Sequence, residues 1–156
     1  MMVRPANENE VQAIRALARA ARLLERSSGD LNLAHYRVLS AIAEGSERAS
    51  RVADRLTLGK PTVSAAVESL TKRGLITRED VAEDRRATTL ALTPAGEEAL
   101  AAVDREMLGY LDDLLGRTDD PTAVLDSLGQ LGKALDEAAA ERAARRAAKR
   151  AGGTGK

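Results

Sequence analysis

The chain has no cysteine, no phenylalanine and no tryptophan, and only two tyrosines and one histidine among its 156 residues. Without thiols, disulfides, thiolate redox sensing and Cys-ligated metal are excluded. One imidazole per chain excludes a metal site built on two or three of them within one subunit. The shortage of aromatics removes the platforms on which unstacked bases are read, which argues against an RNA-recognition sheet. The core must then be Leu, Val, Ile and Ala. No apolar run approaches the ~18–20 residues of a membrane span. The opening Met1-Met2-Val3-Arg4-Pro5-Ala6 lacks the apolar stretch of a secretion signal, so the expected location is the cytoplasm, with no membrane partner. An excess of one charge is also missing, with 24 Lys+Arg against 24 Asp+Glu. That excludes a uniformly basic nucleic-acid coat, though not a locally basic face.

What is present is Ala, Leu and Arg, a composition that favours helix. The length suits one compact domain or two lobes sharing a core, and is too short for a TIM barrel or a two-domain enzyme. Charge is unevenly spread. Residues 46–92 carry nine bases and seven acids, residues 104–137 carry nine acids and three bases, and residues 141–156 carry six bases and one acid. A mildly basic middle beside an acidic segment orients a polyanion towards one face, although charge runs are commonly no more than solvated surface.

Periodicity sets the order of elements. Over residues 10–26, Val11, Ile14, Leu17, Ala18, Ala21 and Leu24 recur at helical spacing, with Arg15, Arg19, Arg22 and Arg26 on another face, and Ser27-Ser28-Gly29-Asp30 ends the run. Asn32 suits the N-cap of a helix over 33–43 with Gly45 just past its end, and Tyr36, Leu39 and Ala43 are expected to face inward. A short helix over 48–56, anchored by Val52 and Leu56, leads through Thr57-Leu58-Gly59 to a helix over 60–72 with Pro61 in its first turn. Val63, Val67 and Leu70 mark its buried face, and Arg73-Gly74 stops it. Leu75-Ile76-Thr77-Arg78 and residues 87–92 read as strands around a charged loop over 79–86, a β-hairpin. Thr93-Pro94 opens a helix through Leu100, Val103, Met107, Leu111 and Leu114. Asp119-Asp120-Pro121 opens a last helix, whose Val124, Leu128, Leu131, Leu135 and Ala138 step four, three, four, three like a coiled-coil seam. Residues 138–150 read as helical or frayed, and 151–156 as a disordered tail. The first helix and the last two are apolar over more surface than a small lobe needs. They are expected to pair with a second copy as a two-fold dimer.

The fold class is therefore mainly α with a small β-hairpin wing: a winged helix-turn-helix lobe over 31–93, and a helical dimerisation region over 1–30 and 94–150. A helix held proud of the body can enter the DNA major groove. Anchoring through Val63, Val67 and Leu70 leaves Lys60, Thr62, Ser64, Ala65, Glu68 and Ser69 more exposed, and the Arg-tipped hairpin reaches the neighbouring minor groove.

Ala53-Asp54-Arg55-Leu56, Lys60-Pro61-Thr62-Val63-Ser64, Leu70-Thr71-Lys72-Arg73-Gly74-Leu75-Ile76-Thr77-Arg78, Glu83-Asp84-Arg85-Arg86-Ala87 and Leu92-Thr93-Pro94-Ala95-Gly96 stand in this order. With them the chain resembles the MarR family of bacterial transcriptional regulators, and the helical outline extends the resemblance over nearly the whole chain. The resemblance implies that the helix over 60–72 enters the major groove, that Arg86 reaches into the minor groove and that Asp84 braces the wing arginines. It implies a homodimer joined through 10–26, 94–115 and 120–150, pseudo-palindromic double-stranded operators and, usually, repression. It further implies release by a small aromatic or lipophilic effector held between the dimer helices and the DNA-binding lobe. The DNA-binding residues so assigned are Lys60, Pro61, Thr62, Ser64, Ala65, Lys72, Arg73, Asp84, Arg85 and Arg86. Ala65 departs from the family, where a larger polar or basic side chain is common, so base readout there is limited to a thymine methyl.

Other residues keep two readings. His35 is a surface or half-buried helix residue, or lines the effector cleft. Tyr36 is core or cleft, and Tyr110 plugs the dimer core or borders the cleft. The arginine stripe is solvated, or Arg15 pairs a ligand carboxylate. Lys72 and Arg73 are helix-end charges or phosphate contacts, and the basic stretch 142–150 is solvated or a second DNA contact. No catalytic motif, metal site or cofactor is expected, since the lone His has no obvious Ser or carboxylate partner and no phosphate-cradling Gly loop occurs. The alternative function is a winged-helix protein–protein interaction module, favoured by zero net charge and by Ala65.

Overall fold

The structure, a computed structural model, describes residues 7–27, 31–45, 48–56, 58–80 and 88–152. Six helices and a two-stranded sheet follow in the order α1 (Glu8–Ser27), α2 (Leu33–Ala43), α3 (Ala49–Leu56), α4 (Lys60–Lys72), β1 (Ile76–Asp80), β2 (Thr88–Leu92), α5 (Pro94–Leu115) and α6 (Pro121–Gly152). Among the described residues no helix is long and apolar enough to cross a membrane.

Local chemistry sets most of the boundaries. Asn7 and Glu10 form a reciprocal capping box, each side chain accepting the other's backbone N–H at 2.8–2.9 Å. Asn32 caps α2 by accepting the His35 N–H at 2.8 Å, and Gly45 leaves the helix at φ +93°, a left-handed conformation that favours glycine. Asp120 caps α6 through the Ala123 N–H at 2.9 Å. At the end of α4 the chain reverses at Gly74, φ +69°, where the Leu75 N–H returns to the Leu70 carbonyl at 3.0 Å.

The core lies where α2, α3, α4, the base of the wing and the first half of α5 meet. Val38, Leu39, Val52, Val63, Leu70 and Ile76 are its largest fully buried side chains. The strands are antiparallel, pairing Ile76 with Leu92 and Arg78 with Leu90.

Several expectations are corrected. Ala43 is exposed, because Val38, Leu39, Ala41 and Ile42 form the inner face of α2 and Ala43 lies at its solvent end. Leu115, not Leu114, is buried near the end of α5. Here the helix meets the turn into α6, and the inward stripe moves by one residue. Glu79 and Asp80 belong to β1, since pairing with Thr89 and Thr88 extends the ladder into the charged segment. Helix α6 runs to Gly152, two residues into the tail expected from 151.

On the single subunit, Ile14, Leu17, Leu24, Leu108, Leu114, Leu125, Leu128, Leu131 and Leu135 are exposed along α1, α5 and α6. Leu135 leaves 59% of its surface to solvent.

Candidate nucleic-acid interface

Helices α3 and α4 cross so that α4 is buried on one side only. Val63, Ala66, Val67 and Leu70 face the core, while Lys60, Pro61, Thr62, Ser64 and Ala65 are exposed over the first turn and a half. Ala53 is buried at the crossing, where its small side chain lets α4 approach. A shallow cleft of about 160 Å³ opens between the two helices, lined by Ala49, Ser50 and Ala53 from α3 and Lys60, Val63 and Ser64 from α4. Gly59 caps α4 without a side-chain hydrogen bond. The positive end of the helix dipole and its unpaired N–H groups thus sit beside the Lys60 ammonium and two hydroxyls, an arrangement suited to anionic oxygens.

The two ends of α4 differ. Lys72 and Arg73 lie about 18 Å along the axis from Lys60. Lys72 Nζ donates to Glu68 Oε1 at 2.7 Å. That hydrogen bond, with the Lys72 charge and then that of Arg78, holds the Glu68 carboxyl below the usual carboxylate range. Arg78, on β1, therefore acts on the flank of α4. It was not among the site residues expected from sequence, although it ends the Gly-Leu-Ile-x-Arg motif. Asp84, Arg85 and Arg86 lie outside the described residues. Of the strands on either side of them, β1 packs against α4 and β2 against α2.

The residues assigned to an effector are only partly brought together. Tyr36 on α2 donates its hydroxyl to Asp104 Oδ1 of α5 at 2.9 Å. Its pKa is raised to about 12, first by burial and then by that bond. His35, next along α2, is half-buried, and its Nδ1 is buried with no hydrogen-bond partner among the described residues. Burial, and secondarily the Arg73 charge, lower its pKa from 6.5. Arg15 and Tyr110 are exposed. Neither of two larger clefts, about 410 Å³ between α3 and α6 and about 380 Å³ between α2 and β2, is lined by any of these four.

Residues 29–87 match a protein-family model described as the MarR family. The matched segment takes in the winged-helix elements from α2 to β1. The MarR fold extends beyond the matched segment, as solved structures show. The chain superposes with TM-score 0.67 and 24% identity on Sco3205 from Streptomyces coelicolor, a MarR family transcriptional regulator in complex with DNA, over 88% of this chain and 91% of that one. CouR from Rhodococcus jostii RHA1, bound to p-coumaroyl-CoA, gives 0.68 at 19% identity over 83% and 92%. BpsR from Bordetella bronchiseptica, described with regulation of its DNA binding by 6-hydroxynicotinic acid, gives 0.61 at 20% over 77% and 98%. At these identities the likeness is one of fold. No curated protein matches the chain.

Proposed function

We propose that the protein is a homodimeric regulator of transcription that binds double-stranded DNA through α4 and the β1–β2 wing, acts as a repressor and leaves DNA when a small aromatic or lipophilic effector binds. The observation that carries the reading is the one-sided burial of α4. Its apolar stripe is held by α3 and the core, and Lys60, Thr62, Ser64 and Ala65 face outward beside the unpaired N–H groups of its first turn. Lys60 and the helix end supply phosphate contacts, and Thr62 and Ser64 approach base edges. Lys72 and Arg73 serve the phosphates of the flanking strand. Asp84, Arg85 and Arg86 form the wing tip, with Arg86 entering the minor groove.

The exposed leucines of α1, α5 and α6 support the dimer, since a lone subunit leaves them wet. Two-fold symmetry then sets the recognition helices about one DNA turn apart, ~34–36 Å. An effector acts by favouring a dimer with a different spacing; Arg15, His35, Tyr36 and Tyr110 are the residues assigned to it. Such a protein works in the cytoplasm and needs neither catalysis nor a cofactor. A gel shift with the DNA flanking its own gene, followed by selection from a random pool, tests the reading. Retardation that weakens steeply with salt is expected. No retardation at low salt by an intact dimer would instead favour the protein–protein interaction module.

A further inference from the structure

Helix α6 packs on the outer flank of α3, although 92 residues separate Asp54 from Arg146. The contact has a defined chemistry. Asp136, Ala139, Ala140, Ala143 and Arg146 form one stripe of α6, and Arg51, Asp54 and Arg55 form one stripe of α3 at i, i+3 and i+4; all but Arg146 line the cleft of about 410 Å³ between the two helices. Ala139 is buried. Arg146 Nη1 donates to Asp54 Oδ1 at 2.8 Å. The Arg55 guanidinium stands 3.9 Å from Asp136 and also pairs with Glu44 at the end of α2. The opposite flank of α3, carrying Ala49, Ser50 and Ala53, faces α4.

At 100° per residue, this stripe is turned about 90° around the α6 axis from the exposed seam of Leu128, Leu131 and Leu135. One continuous helix thus carries two faces. Its first half presents the apolar seam and its second half holds α3 through two ion pairs. Alanine contacts alone allow sliding, because three methyl-sized side chains define little geometry. The charges add register: Asp54 meets Arg146, Arg55 meets Asp136, and shifting α6 by one turn breaks both.

We infer that Asp54–Arg146 and Arg55–Asp136 form an ionic latch that fixes the orientation of the α3–α4 lobe on α6, so that the angle of the recognition helix is set from the pairing seam. The latch gives a role to Asp54 and Arg55, two motif residues that the DNA surface does not use. Its consequence for DNA affinity rests on the dimeric DNA-binding reading above, whereas its geometry does not.

The test exploits the absence of cysteine. Ala65→Cys on α4 and Ala144→Cys on α6, both at exposed positions, carry spin labels in the full-length chain. Excess unlabelled protein is added so that only distances within one chain are read. The parent should give a narrow distance distribution. Arg146→Asp should broaden it, and so should Asp54→Arg, while the double exchange Asp54→Arg with Arg146→Asp should narrow it again. With an unlabelled set of the same variants, each single reversal should weaken DNA binding roughly two- to five-fold, and the exchange should restore it. The dimer should persist throughout. Unchanged distributions in both single variants, or an exchange that rescues neither distance nor affinity, overturn the latch. If broadening and rescue occur in a protein that binds no DNA, the latch stands and the DNA-binding reading fails.

Discussion

The Thr93 hydroxyl donates to the Gly74 carbonyl at 2.6 Å and accepts the Gly96 N–H at 3.0 Å. One side chain therefore joins the end of α4 to the start of α5. The backbone reinforces the junction, with the Thr93 N–H reaching the Leu75 carbonyl at 3.1 Å. Gly96 is buried against the same carbonyl, and a Cβ there would overlap it. Helix α4 is thus tied at its C-terminal end to α5 by the Leu-Thr-x-x-Gly motif, and this explains why that motif needs both a hydroxyl and a missing side chain.

Gly96→Ala forces the backbone of Leu75 away from α5, since a carbonyl cannot give as a flexible side chain does. The expected cost is about 1–3 kcal/mol of folding stability, read as a lower urea midpoint. Thr93→Ala removes the cap and the Gly74 bond and should cost about 1–2 kcal/mol. Thr93→Ser should recover most of it.

Lys60→Ala should lower affinity for the selected operator and reduce the slope of log K against log salt by about 1. Arg86→Ala at the wing tip should weaken operator binding by roughly 1–3 kcal/mol without unfolding the protein. Fluorescence anisotropy across a salt series checks both. An affinity unchanged by Arg86→Ala sinks the minor-groove assignment.

His35 predicts acid sensitivity. Its folded pKa lies below 6.5 because burial and the nearby Arg73 disfavour the imidazolium. As pH falls through 6.5 the unfolded chain takes up the proton first, so stability contributed by neutral His35 is lost on the acid side and is fully present above 6.5. Denaturation midpoints between pH 7 and 5 should fall less steeply in His35→Gln.

Tyr36 predicts the opposite limb. Its pKa is raised to about 12 by burial and by donation to Asp104. Its stabilising contribution is complete below pH 10 and is lost as pH rises from about 10 towards 12. Tyr36→Phe should cost about 1–2 kcal/mol at neutral pH and abolish that alkaline component, measured by urea melts at pH 8, 10 and 11.

Leu128→Glu places a charge in the exposed seam of α6. A folded protein of half the parent's sedimenting mass is the expected result, with operator affinity lost alongside the dimer. A parent that already sediments at 16.5 kDa removes the dimer assignment.

Much of this was legible because the signals are local. Asn32, Pro61, Gly74, Thr93 and Pro94 act on backbone groups within a few residues of themselves, so the helix limits around them follow from short-range hydrogen bonding. The one-sided stripe of Val63, Val67 and Leu70 likewise follows from helical period, and it identified the outward side of α4 before any packing was known. Ala43 and Leu114 were misplaced for a related reason. Near a helix end the inward face depends on where the next element lies, and period alone is silent about that.

The chain's order of residues determined the winged-helix lobe, the outward Lys60–Ala65 surface and the surplus of apolar helix, because capping, periodicity and composition act over a turn or two. Tertiary structure decided which helices meet. It turned the basic end of α6 back onto α3, joined Arg146 to Asp54, drew the Tyr36 hydroxyl to Asp104 and set Thr93 on Gly74. These contacts span 19 to 92 residues. They depend on the relative placement of rigid helices around one core, which no local pattern encodes.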